Sequence, residues 1–116
     1  MNSSRPQRQI RFPRGDSYVH EVRLKDGNGD AIDITGRVYS AQIRRKPDDT
    51  TAVATFTCTI TSDSGGIVTM SLPKETTATL TPGNYVYDLV EVNPVAGTEI
   101  TLMRGTLTVE RDVTRV

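Results

Sequence analysis

Tryptophan is absent from the 116 residues, cysteine occurs once, histidine once, and aromatics amount to only 5% of the chain. A core must therefore be assembled mainly from Val, Ile, Leu and Ala. The single cysteine, Cys58, excludes an intrachain disulfide and a thiolate zinc cluster, which points to folding in a reducing, cytosolic setting. Excess charge is lacking too: 14 Lys and Arg balance 14 Asp and Glu, so the chain as a whole has no general attraction for nucleic acid or anionic lipid. No stretch approaches the roughly 18 consecutive apolar residues of a membrane span. The opening MNSSRPQRQ carries arginines with no apolar run behind them, so neither a membrane segment nor a secretory leader is expected.

Threonine is abundant, and with Val and Ile it favours pleated strands over helix. Residues 1–9 are polar, contain Pro6 and lack periodicity, which reads as a basic arm ahead of one domain spanning 10–116. Tyr18, His20, Val22 and Leu24 alternate with Glu21 and Arg23 as a half-exposed strand requires, and Lys25 to Asp30 then supplies a hairpin turn leading to a return strand with Ile32 and Ile34. Tyr39, Ala41 and Ile43 share one face of the next strand, which ends at the charged turn around Pro47. Ala52, Ala54, Phe56, Cys58 and Ile60 then oppose a row of threonines. Val68, Met70 and Leu72 point inward after the Ser62–Gly66 turn.

One short helical turn is expected near 73–80, with Pro73 ahead of it and Leu80 plugging the core end. Tyr85, Tyr87 and Leu89 share a face after Pro82-Gly83, and the last long strand, Glu99 to Glu110, is expected to bend or bulge near Gly105. The sum is an all-β, antiparallel, immunoglobulin-like sandwich of about seven or eight strands. Tyr85, entering its strand directly after a turn, is the candidate for the tyrosine corner of such sandwiches.

Chemistry-bearing patterns are few. His20 is the only histidine, so any nucleophile–imidazole pair must use it, yet both His20 and Cys58 fall on inward strand faces. Asp26, Asn28 and Asp30 have the spacing with which a calcium loop begins, but Arg37 stands where the bidentate Glu belongs and Ala31 where the glycine belongs. A hairpin turn accounts for the same residues. Arg14-Gly15-Asp16 spells an integrin-type tripeptide without a secretory context. Gly65-Gly66 precedes a strand and not the helix a phosphate loop needs. No catalytic residue, metal ligand or cofactor site is expected, and an enzyme is not expected.

Arg5, Arg8, Arg11 and Arg14 are the only charges before Asp16, so a basic arm precedes a mildly acidic body. With Phe12 the only aromatic near them, they fit a tie between subunits better than a phosphate track. Thr55 and Thr57 belong to a flat, uncharged face suited to burial against another protein. These six residues are the candidate protein-interface positions.

Ile32-Asp33-Ile34-Thr35-Gly36 after a strand ending in Asp-Gly, then Gly66 to Leu72, then Pro82-Gly83-Asn84-Tyr85-Val86-Tyr87-Asp88, then Gly105 to Glu110, give the chain its resemblance. Over residues 16–116 it resembles small immunoglobulin-like proteins of tailed-phage virions. It is similar to the N-terminal domain of baseplate upper proteins and to collar-type β-sandwich proteins of long-tailed siphophages. The resemblance implies a non-enzymatic virion component, made in the host cytoplasm, that docks on the tail tube, baseplate or tail-fibre base as a homo-oligomeric ring, with no nucleic-acid or membrane partner. Baseplate upper proteins continue into a long C-terminal region, whereas this chain ends at Val116, which favours a ring or decoration subunit. The alternatives are a capsid decoration protein and a binding module whose loops, Asp26 to Asp30 or Asn93 to Gly97, recognise a host-surface ligand.

Overall fold

Alternation of large apolar and small polar residues produces seven strands between Ile10 and Glu110. The computed structural model describes residues 9–111. In chain order the elements are β1 (Ile10–Pro13), β2 (Tyr18–Arg23), β3 (Val38–Arg44), β4 (Ala54–Ser62), β5 (Ile67–Leu72), α1 (Lys74–Thr77), β6 (Gly83–Asn93) and β7 (Thr98–Glu110). Hydrogen bonding runs in the order β1-β7-β6-β3-β4-β5-β2.

β4 divides this order into two layers. Its first residues, Ala54 to Phe56, pair with β3, whereas Thr57 to Ser62 pair with β5. One layer is thus β2-β5-β4 and the other β1-β7-β6-β3, with β4 shared. β1 and β2 stand at opposite ends of the strand order, yet Phe12 and Tyr18 lie 5.3 Å apart between ring centroids. Such closeness requires the two layers to face one another. Ile43, Leu89, Leu107 and Val109 of one layer meet Val68, Met70 and Leu72 of the other, all essentially inaccessible to solvent. At about 1.5–3 kcal/mol for each fully buried aliphatic side chain, this interior is the main stabilising term.

The β7–β6–β3 and β2–β5–β4 groupings match the sheets of the immunoglobulin sandwich, and the Tyr85 hydroxyl donates to Thr81 O at 2.6 Å, as a tyrosine corner requires. Arg45 closes over that ring, its guanidinium 5.3 Å from the centroid. The helical turn forms as expected, and Leu80 is buried beneath it. Thr77, wholly buried, binds α1 to the loop after β1: its Oγ1 donates to Asp16 O and accepts from Gly15 N–H.

Three expectations need correction. Ile32 and Ile34 lie outside any strand: the return segment keeps only the Lys25–Ala31 bridge, and the Ile34 amide donates to Asp63 O in the β4–β5 turn. Asp33 then caps a turn through the Thr35 amide and hydroxyl, which ends any extension, while Ile34 still reaches the core. Secondly, the sandwich is not purely antiparallel, since β1 runs parallel to β7, Ile10 beside Leu107. Finally, the irregularity in β7 falls at Leu102, between the Leu89–Met103 and Val90–Thr101 pairs, while Gly105 pairs regularly with Tyr87.

Candidate interaction surfaces

The six candidate interface residues are not brought together. Arg5 and Arg8, with the arm apart from Gln9, lie outside the described residues. Arg11 sits on β1 at the sheet edge with its guanidinium 3.4 Å from Glu110, an exposed pair of small energetic weight. Arg14 follows β1, its amide bonded to Glu110 O. Thr55 and Thr57 are both exposed on β4, but the layer switch falls between them: Thr55 pairs with Gln42 of β3 and Thr57 with Ser71 of β5. The threonine surface therefore wraps the β4 margin and continues onto the β2–β5–β4 layer. There Thr59 and Thr69 stand opposite each other, and the Thr61 and Thr69 hydroxyls bond directly. The charges on β2 beside it, Arg23 and Glu21, pair internally at 2.7 Å.

His20 and Cys58 both stand opposite Met70, one on each side of β5, so two strand spacings, roughly 9–10 Å, separate them. Burial pushes the Cys58 thiol up to about 11. At pH 8 its thiolate is then about a hundredfold or more scarcer than that of an ordinary cysteine. Native protein should react with iodoacetamide slower by that factor than denatured protein, read by intact mass, with the native rate climbing as pH rises toward 11. Equal rates in the native and denatured protein would show Cys58 to be accessible and ordinary.

The Asp26–Asp30 loop is a self-contained turn. Asp26 Oδ1 accepts the amides of Asn28 and Asp30 at 2.9 and 3.1 Å. The Arg14-Gly15-Asp16 backbone is pinned by Thr77 as described above.

One cluster is invisible to the motif reading. Glu91, near the end of β6, is 7% exposed and faces inward opposite Tyr39. The Tyr39 hydroxyl donates to Glu91 Oε2 at 2.6 Å, and Arg37 reaches Oε1 and Oε2 at 3.3 and 3.2 Å. Burial, and then the bond to this carboxylate, holds the Tyr39 hydroxyl well above the usual phenol range. The group locks the turn before β3 onto the end of β6. The one available signal was parity, since Glu91 continues the inward series Tyr85, Tyr87, Leu89.

On the outer face of β3, β6 and β7 a groove of about 390 Å³ lies beneath Pro47, bounded by Gln42, Arg44, Val86, Asp88 and Arg104. Arg44 is steered by a 2.7 Å hydrogen bond to Gln42.

No curated protein matches the chain. Among solved structures it is similar to CopC from Methylosinus trichosporium OB3b, with 14% identity and a TM-score of 0.53 over 93% of this chain and 89% of that one. A Lin-41 filamin domain aligns at 24% identity and a TM-score of 0.46, covering 90% of this chain and 84% of that one. Both crossing layers, the shared β4 and the Tyr85 corner fall within residues 4–111, the span that matches the model described as LtfC-like, beta-sandwich domain, and the chain belongs to that family.

Proposed function

We propose that this chain is a non-enzymatic structural subunit of a bacteriophage virion, docking on the tail, tail tip or baseplate in several copies. The observation that carries the reading is the threonine surface along β4, exposed, uncharged and continuous across the layer switch. A surface of short hydroxyl and methyl groups loses little side-chain entropy on burial and leaves no unpaired charge behind. The resemblance of the Ile32–Gly36 and Pro82–Asp88 segments to virion sandwiches supplies the setting. Cys58 packs against the core with its thiol proton held tightly, and the Arg37–Tyr39–Glu91 group holds the scaffold. Nothing in that use of reactive groups favours turnover.

The test exploits the exposure of Thr55 and Thr57. Thr55→Lys/Thr57→Lys should change folding stability by less than about 1 kcal/mol, since exposed substitutions seldom cost more. Incorporation of the variant into purified particles, measured by immunoblot after complementation of a phage lacking this chain, should fall at least tenfold, an order-of-magnitude expectation for a desolvated charge at a contact. Normal incorporation would remove the threonine surface from the account.

A further inference from the structure

The outer face of the β3–β6–β7 layer differs in kind from the threonine surface. β6 runs along its middle and turns Val86, Asp88 and Val90 outward, with Gln42 and Arg44 of β3 on one side and Arg104 of β7 on the other. The valines make a half-buried apolar stripe. Asp88 and Arg104 stand opposite each other across the β6–β7 ladder, and among the described residues neither side chain closes an ion pair or hydrogen bond. The facing charges of the β2 edge, by contrast, satisfy each other. A carboxylate and a guanidinium side by side along the groove of this face form a self-complementary pattern, which is what a two-fold contact requires.

We propose that two copies of this chain pair through this face, about a two-fold axis that lies between β6 and β7 and runs along them. That operation lays β6 of one copy over β7 of the other. Asp88 then faces the partner's Arg104, and Arg104 faces the partner's Asp88, because the two residues share one level of the ladder. Both charges find opposite partners twice over, and the valine stripe is covered by the threonine side chains of the partner's β7. Sheets packed face to face commonly sit about 10 Å apart with strands near −30°, which keeps both pairs within side-chain reach.

Size also fits. The 11 residues of β6 extend roughly 36 Å and four neighbouring strands span roughly 19 Å, so the face projects on the order of 500–700 Å². Accessible area exceeds projected area, so the face approaches the roughly 800 Å² per partner of a stable contact. The pairing refines the multi-copy reading above. Its test uses the purified chain alone, so failure of the pairing and failure of the virion placement are separate results.

Sedimentation equilibrium of the full chain should show a monomer–dimer equilibrium. Asp88→Arg and Arg104→Asp should each raise the dissociation constant at least tenfold, a factor of order set by two repelling pairs per dimer. The double swap Asp88→Arg/Arg104→Asp restores complementarity and should return most of the lost affinity, with circular dichroism confirming that each variant is folded. A wild-type chain that stays monomeric at about 100 µM would overturn the proposal. Single reversals that leave the dimer intact, or a swap no better than either single change, would overturn it equally.

Discussion

Gly66→Ala should destabilise the domain by about 3–5 kcal/mol and lower its thermal midpoint by roughly 10–20 °C. Gly66 has a φ of +66°, in the left-handed region that a side chain disfavours. The decisive factor is space. An added Cβ would lie 2.6 Å from Ile32 O and 2.7 Å from Leu24 O, both backbone atoms that cannot swing aside. These carbonyls are held by the joint that Gly66 itself completes: Leu24 N–H donates to Gly66 O at 2.8 Å and Ile32 N–H to Leu24 O at 3.1 Å. Three segments, the end of β2, the return segment and the β4–β5 turn, therefore meet at one residue without a side chain. Gly97 is the control, with a φ of +70° and no atom within 4 Å of a built Cβ. Gly97→Ala should cost only about 1–2 kcal/mol, the conformational penalty alone. Equal midpoints for the two variants in differential scanning calorimetry would contradict the steric argument.

Glu91→Ala should be the next most damaging change, at about 2–4 kcal/mol. It leaves the Tyr39 hydroxyl buried without its acceptor and Arg37 beside the sheet without its counter-charge. Removing one member of such a group costs more than removing all, because the loss is dominated by the polar atoms left behind. Arg37→Met/Tyr39→Phe/Glu91→Leu should therefore be closer to wild type in urea denaturation than Glu91→Ala. A triple variant less stable than the single one would show that the group contributes net attraction. The same residues set an alkaline limit. Tyr39 binds its proton more tightly folded than unfolded, so its contribution is complete below about pH 10, the ordinary phenol value, and is lost as pH rises beyond it. Cys58 acts in the same direction at lower pH, beginning near its ordinary value of about 8.5.

What the sequence disclosed, and what it hid, follows from the range of each interaction. Alternation along Tyr39–Ile43, Phe56–Ile60, Val68–Leu72 and Tyr85–Leu89 reports which face is buried, and the structure buries those faces. The Tyr85 corner and the turn at α1 were equally legible, because cap and turn chemistry is local. Strand partners are not local. Nothing in the residues of β4 marks the change of neighbour between Phe56 and Thr57, and so Thr55 and Thr57 read as one flat patch. Ile32 and Ile34 carry a strand-like pattern, yet their amides bond to Leu24 O and to Asp63 O of the β4–β5 turn instead of laddering along β2. Gly66 reads as an ordinary turn glycine until Leu24 and Ile32 are folded onto it. Glu91 continues the inward parity of Tyr85, Tyr87 and Leu89 as a charged residue, and only the arrival of Arg37 and Tyr39 explains its burial.

Whether this chain is a tail-associated structural subunit is most directly tested by immunogold electron microscopy of intact phage particles, using antibody against the purified chain. Gold is expected only on the tail, at its tip or baseplate, in clusters consistent with several copies. Gold over the head, or no gold on any particle, would contradict it.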